Sequence, residues 1–428
     1  MAGYVVVGSQ WGDEGKGKVV DLLGRHVNMV VRFQGGNNAG HTVVVNGKKT
    51  ILHLLPSGIL NHDALCVIGP GVVVNLFVLL QEIDTLEAQG SPCDHVRLSD
   101  RAHLIMPWHL RIDELMEKRA GKNKLGTTKN GIGPTYADKY NRIGLRVCDL
   151  KDWDVFSEKV RNVVSLKNEE IVKIYGGEPF DPEEVLAQFA AIRPRILPMI
   201  CDAVDKIHKA LDGGQIVLFE GAQANMLDIN YGTYPYVTSS SPTSAGVCEG
   251  AGVAPQKLDR IIGVVKAYST RVGEGPFVTE QLNDIGDKMR EIGGEYGATT
   301  GRPRRCGWLD LPVVRQAVRI NGLTDLAVTK VDVLSGFETL PVCIGYEING
   351  KVYDTIPASI HDLEIAKPVY KEFPGWSEDI SKIRSFEELP VNCQNYLNFI
   401  SEYCGCRMCL VSVGPDREEN IILKELIA

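Results

Sequence analysis

The stretch YVVVGSQWGDEGKGK, residues 4–18, decides how the chain is read. It opens on a short apolar run, residues 4–7, of the kind found in strands covered on both faces. The run empties into a loop with glycines at 8, 12, 15 and 17 and lysines at 16 and 18, and residues 19–23 can continue as a helix. Strand, glycine-rich loop and helix together cradle phosphate, because backbone N–H groups and the positive helix end face the anion. Residues 12–18 fit Gly-x4-Gly-Lys, the P-loop pattern. Two departures are more informative than the fit. Val19 stands where a Ser or Thr hydroxyl would bind Mg²⁺, and Asp13 places a carboxylate inside a loop built to attract anions. A carboxylate there repels phosphate unless it holds a metal or does chemistry.

The 428 residues are 44% hydrophobic and 23% charged, ordinary for a globular protein with a large core. The net charge is −8 and no long basic block occurs, which argues against a general nucleic-acid or membrane-surface binder. No apolar run is long enough for a membrane span, and no signal peptide is expected. Eleven scattered cysteines suit a reducing cytoplasm better than a disulfide framework. Cys404, Cys406 and Cys409 cluster without a fourth ligand nearby, so they read as buried thiols with no assigned role.

Further apolar, β-branched runs at 27–33, 65–68, 96–98, 216–220, 261–267, 326–329 and 410–413 read as strands. Most are continuous rather than alternating, which predicts a large, mostly parallel central sheet with helices on both faces. Helices are expected at 75–89, 109–119, 182–211, 311–320 and 386–403. Asn46-Gly47 and Asn349-Gly350 each sit between β-forming runs and predict hairpins. The chain reads as one large α/β domain, 1–428, with hairpin insertions and a charged helical insertion at about 150–212 lying outside the sheet.

Further loops carry chemistry. QGGNNAGHT, residues 34–42, follows a predicted strand, has Gly or Asn at five of nine positions and holds His41. Loops at the carboxyl ends of parallel strands gather on one edge, so Asp13 and His41 can face each other as base and acid. GTTKNGIGP, residues 126–134, with Arg142 and Arg146 downstream, resembles a phosphate nest and equally a structural turn. Glu220 to Gln223 closes another strand with an amide that can read a base edge, and residues 236–240 add hydroxyls. GATTGRPRR, residues 297–305, has three arginines in its last four positions, suited to carboxylates or phosphates. Finally Thr329-Lys-Val-Asp332 ends a strand with a carboxylate able to accept both hydrogen bonds that guanine offers, favouring GTP over ATP.

WGDEGKGK at 11–18, NNAGHT at 37–42, residues 297–308 and TKVD at 329–332 together resemble the adenylosuccinate synthetase family, in order and over essentially the whole chain. The resemblance implies a P-loop NTPase-like fold and a GTP-dependent ligation of L-aspartate to IMP through 6-phosphoryl-IMP, giving adenylosuccinate, GDP and phosphate. It also implies one Mg²⁺ per subunit. Carried over position by position, it makes Asp13 the base and a metal ligand, His41 the acid, Lys16 a γ-phosphoryl contact and the Gly40 carbonyl the second metal ligand. The IMP pocket is implied to draw on Asp13, Glu14, Gly15, Lys16, Asn38, Ala39, Gly40, His41, Thr128, Gln223, Thr238 and Arg302, with Arg142 crossing a homodimer interface to the partner's IMP. L-Aspartate is implied to bind at Ala298, Thr299, Thr300, Gly301, Arg302, Pro303 and Arg304. GTP is implied to bind at residues 12–18, at Gly40, His41, Thr42 and Arg304, at Lys330, Val331 and Asp332, and at Ser412, Val413 and Gly414. Two rivals remain at this stage. A regulatory GTPase switch shares the phosphate loop and the Lys-x-Asp pattern but wants Ser or Thr at 19 and has no use for His41. An ATP-dependent ligase differs in its phosphoryl donor.

Overall fold

The first strand shows why the apolar runs are continuous. In the computed structural model, which describes residues 2–45, 47–297 and 301–427, β1 (Ala2–Gly8) lies inside a sheet covered on both faces. Tyr4 and Val6 pack with Val19, Val20 and Leu23 of the helix Lys16–Gly24 on one side. Val5 and Val7 pack on the other, in a core that includes Ile207 and Leu211 of the helix Ala203–Asp212 and Val314 and Ala317 of the helix Leu311–Asn321. Alternation carries each side chain to the opposite face, and both faces are dry.

The sheet has ten strands among the described residues. After β1 they are β2 (Met29–Arg32), β3 (Leu65–Ile68), β4 (Val96–Ser99), β5 (Ile200–Cys201), β6 (Ile216–Glu220), β7 (Leu258–Lys266), β8 (Asp325–Thr329), β9 (Met408–Ser412) and β10 (Asn420–Ile422). Their order across the sheet is β10-β9-β8-β7-β1-β6-β2-β3-β4-β5. All neighbours pair in parallel except β9 and β10. The register sets Val6 beside both Glu220 and Ile262 and Gly8 beside Val264, so β6 ends first, β1 two residues later and β7 last, on the same edge.

The chain departs from the sequence reading where proline or a cap intervenes. The helix expected at 182–211 is two helices, Pro182–Ile196 and Ala203–Asp212. Pro198 lies in the break, and Asp202 restarts the second helix by accepting from the Asp205 N–H at 3.0 Å. Between them Ile200–Cys201 pairs with Leu98–Ser99, so the region expected outside the sheet supplies its edge strand. The helix expected at 386–403 begins only at Val391, after Pro390. The Asn349-Gly350 hairpin forms with both residues at positive φ, 52° and 75°, as a tight antiparallel turn needs. His41–Val45 pairs antiparallel with Lys48–Leu52, although Asn46 of that turn lies outside the described residues.

One buried carboxyl gives the fold a pH signature. Asp310, just before the helix Leu311–Asn321, accepts the Tyr346 hydroxyl at 2.6 Å. Burial pushes its pKa up to about 7, against that hydrogen bond. The folded chain therefore keeps a proton that the unfolded chain releases near pH 3.8. This contribution to stability is fully present below the unfolded value and is lost as pH rises through about 7. Asp310→Asn abolishes the titration. Urea unfolding at about pH 5 and about pH 8 should show wild type losing more stability across the interval than the variant.

Candidate active site

The loop after β1 is held by its own carboxylate. Glu14 folds back so that Oε1 accepts from the N–H groups of Gln10 (3.0 Å) and Gly12 (2.8 Å), while Oε2 takes the Lys16 ammonium at 2.7 Å. Glu14 is fully buried and Lys16 is 3% exposed. Gly8 makes room: a Cβ there would sit 2.6 Å from Glu14 Oε2 and 2.7 Å from Ala224 Cβ. Glu14 is thus an internal brace, whereas Asp13, in the left-handed region at φ 59°, lines the cavity with a half-buried carboxylate. Lys18 occupies the P-loop lysine position, yet its ammonium donates to Ser412 Oγ (2.8 Å), Gly414 O (2.6 Å) and Glu419 O (3.1 Å). Burial lowers its pKa to about 8, with Glu419 and Asp332 opposing. Lys18 ties the first helix to the loop after β9.

His41 begins the hairpin that follows the Gly/Asn-rich loop. Its ring lines the cavity, and Nδ1 meets Glu220 Oε1 at 2.5 Å. Glu220 also accepts from Ser57 Oγ at 2.5 Å and from the Ser57 N–H at 2.7 Å. Burial pushes the Glu220 pKa up, but His41 and Ser57 outweigh it and hold the carboxylate ionised. Burial lowers the His41 pKa, with Glu220 opposing. A carboxylate on Nδ1 orients the imidazole and leaves Nε2 for a ligand. Behind the loop, the buried Arg32 guanidinium donates to the carbonyls of Gly36 and His53, and His53 Nδ1 donates to Ala39 O at 2.7 Å.

The arginine loop is closed at its base by Arg304 N–H to Glu295 O (2.9 Å) and Gly297 N–H to Arg302 O (2.8 Å). From there Arg304 reaches back to the first loop, its Nε 2.8 Å from Asp13 Oδ2. Its Nη1 lies 2.8 Å from Glu295 Oε2. Lys330, also left-handed at φ 58°, brings its ammonium to 3.1 Å from Glu295 Oε1. Thr329 Oγ1 donates to the Glu14 carbonyl, binding the strand end of the Lys-x-Asp segment to the phosphate loop.

These loops surround one cavity of about 2020 Å³. Gly12, Asp13, residues 15–18, residues 38–42, Thr128, Gln223, Thr238, Arg302, Arg304, Lys330, Asp332, Ser412 and Gly414 all line it. Glu14, Val331 and Val413 lie buried behind the wall, and Gly301 and Pro303 are exposed beside it. Ala298, Thr299 and Thr300 fall outside the described residues. Arg142 is exposed, left-handed at φ 65°, and not on its own cavity wall. Several buried polar atoms on the wall have no partner among the described residues: both amide atoms of Gln223, Thr238 Oγ1 and Asp332 Oδ1. Buried polar groups are normally satisfied, so these mark where a ligand completes the bonding. Burial raises the Asp332 pKa, with Lys330 and Lys18 opposing.

Glu220 and Glu295 were not singled out by sequence. Glu220 stood in view as the end of a strand, but nothing in the order of residues says that His41 folds onto it. No cluster of three metal-ligand side chains occurs among the described residues.

A carboxylate-backed histidine facing a phosphate loop has no place in a switch, and the class that fits is a nucleotide-driven ligase. Comparison with known proteins agrees. The family model described as adenylosuccinate synthetase matches residues 5–421. The adenylosuccinate synthetase of Fusobacterium nucleatum is 58% identical over 426 residues, covering 100% of both chains. That of Cutibacterium acnes is 52% identical over 427 residues, again covering 100% of both. The fully ligated adenylosuccinate synthetase structure from Plasmodium falciparum superposes with a TM-score of 0.93 at 40% identity, covering 98% of this chain and 99% of that one. The chain belongs to the adenylosuccinate synthetase family. It is a GTP-dependent ligase of AMP biosynthesis that joins L-aspartate to IMP. No helix among the described residues is long and apolar enough to cross a membrane.

The His41–Glu220 contact makes a direct prediction. Glu220→Gln keeps the side chain's shape but removes the charge on Nδ1, so kcat should fall by about 10²-fold or more. Steady-state kinetics would detect it, and an unchanged kcat would remove Glu220 from the chemistry.

Proposed function

We propose that the ligation runs through 6-phosphoryl-IMP, with Asp13 as base and His41 as acid. The reading rests chiefly on one observation: the Asp13 carboxylate and the Glu220-backed His41 line the same cavity as the glycine-rich loop. The O6 of IMP is a poor leaving group. Asp13 takes the N1 proton, which makes O6 nucleophilic toward the γ-phosphoryl of GTP. In the second step His41 gives a proton to O6 through Nε2 as phosphate leaves. Burial lowers the ring's pKa, and a phosphate beside it favours the protonated form that an acid needs. Lys16, held by Glu14, offsets γ-phosphoryl charge together with loop N–H groups. The amine of L-aspartate then displaces phosphate at C6.

Mg²⁺ fits the donor set. Asp13 is a hard oxygen donor on the phosphate side of the cavity, and Gly40 lines the same space. These two residues would hold the ion, which would neutralise charge on the transferring phosphoryl group.

The remaining assignments follow the wall. Asn38, Ala39, Thr128, Gln223, Thr238 and Arg302 form the IMP pocket, and the unpartnered Gln223 amide supports its role at the base. Arg302 and Arg304, with 298–301 and Pro303, take L-aspartate. Lys330, Val331, Asp332, Ser412, Val413 and Gly414 form the guanine pocket, supported by the unpartnered Asp332 oxygen. Arg142 serves a partner's IMP site in a homodimer, which accords with its exposed position off its own cavity wall. Eleven cysteines, all unbridged, favour the cytoplasm.

Phosphate release should require GTP, IMP and L-aspartate together. Turnover that persists without IMP or without L-aspartate would overturn the reading. Asp13→Asn and His41→Asn should each lower kcat by roughly 10² or more. Arg142→Leu should raise KM for IMP by about tenfold while leaving KM for GTP in place, as expected for one lost charged contact. Sedimentation should find a dimer.

A further inference from the structure

Glu295 is the most heavily committed carboxylate near the site, and the reaction chemistry does not use it. It is fully buried, and four donors converge on it. Lys266 Nζ lies 2.7 Å from Oε1, the Tyr268 hydroxyl 2.5 Å from Oε1, Lys330 Nζ 3.1 Å from Oε1 and Arg304 Nη1 2.8 Å from Oε2. Two of these donors stay inside: Lys266 is 1% exposed and also donates to Thr270 Oγ1 at 2.7 Å. The other two, Arg304 and Lys330, line the cavity. Burial pushes the Glu295 pKa up, but Lys266, Lys330 and Arg304 overwhelm it, so the carboxylate stays ionised.

The geometry has a consequence for the site. Arg304 comes from the arginine loop and Lys330 follows the end of β8, and both reach the same carboxylate. One carboxylate, through its two oxygens, is shared by both cations, while Lys330 also donates to the Gly293 carbonyl. The internal Lys266 keeps that carboxylate charged and immobile. Arg304 carries the link one step further, to Asp13 at 2.8 Å.

We propose that Glu295 is a positioning residue that fixes the Arg304 guanidinium and the Lys330 ammonium as one unit. It thereby couples the L-aspartate end of the site to the guanine end. The inference rests on the assignment of Arg304 to L-aspartate and of Lys330 to guanine made above. Glu295 touches neither substrate.

Steady-state KM values for the three substrates test it. Glu295→Gln should raise KM for L-aspartate and for GTP by roughly tenfold each, the loss of one charged contact at each end. KM for IMP should move less than about twofold. Glu295→Gln leaves the Lys266 cation buried without a counter-charge, so Glu295→Gln with Lys266→Met removes both charges together and preserves folding. The double variant should show the same split. Arg304→Leu should raise KM for L-aspartate, and adding Glu295→Gln to it should raise that constant no further. Unchanged KM values in the Glu295 variants, or an equal rise for all three substrates, would overturn the inference while leaving the site intact. An Arg304→Leu enzyme with normal KM for L-aspartate would instead overturn the site assignment, and the inference with it.

Discussion

Parallel pairing is the constraint on which the rest of the molecule depends. Because β1, β2, β6, β7 and β8 run side by side in one direction, the residues at which they end leave the sheet along a single edge. Gly8, Arg32, Glu220, Lys266 and Thr329 are those residues or lie at those ends. The loops that follow have no choice but to meet. An antiparallel sheet of the same strands would send half of them to the opposite side and break the cavity apart.

Along that edge a recurring device holds the reactive groups in place. Glu14, Glu220 and Glu295 are each fully buried, and each fixes a group that faces the cavity: Lys16, His41, and Arg304 with Lys330. Burying a carboxylate is costly unless donors surround it. Each here has them: two loop N–H groups for Glu14, Ser57 twice for Glu220, and Tyr268 for Glu295, besides the cations. Removing one member of such a buried pair typically costs about 3–5 kcal/mol. The groups that face the cavity are thus each held from behind by a buried carboxylate.

The phosphate loop shows how far a familiar pattern can mislead in detail. Gly-x4-Gly-Lys points to Lys18 as the phosphate lysine, but that ammonium is spent on Ser412, Gly414 and Glu419. Lys16, two residues earlier, faces the cavity with Glu14 behind it. Asp13, directly after the first glycine of the pattern, stands at a left-handed φ of 59°. That conformation is uncommon for a residue with a Cβ, and it turns the carboxylate toward the cavity.

What the order of residues determined by itself is local or periodic. Continuous apolar runs such as residues 4–7 specify strands covered on both faces. Asn349-Gly350 specifies its turn, and Asn75 caps its helix by accepting from the N–H groups of Phe77 and Val78. Glycine-rich strand ends carrying Asp13, His41, Arg304 and Asp332 announce where chemistry lies. The pairings across long stretches of chain were decided by tertiary structure alone. Glu220 meets His41 across 179 positions, Lys18 meets Ser412 across 394, and Arg304 reaches Asp13 from a separate loop. The physical reason is that a buried charge accepts whichever opposite charge or donor the packed core delivers to it. Only the closed sheet, with its strands in register, determines which one that is.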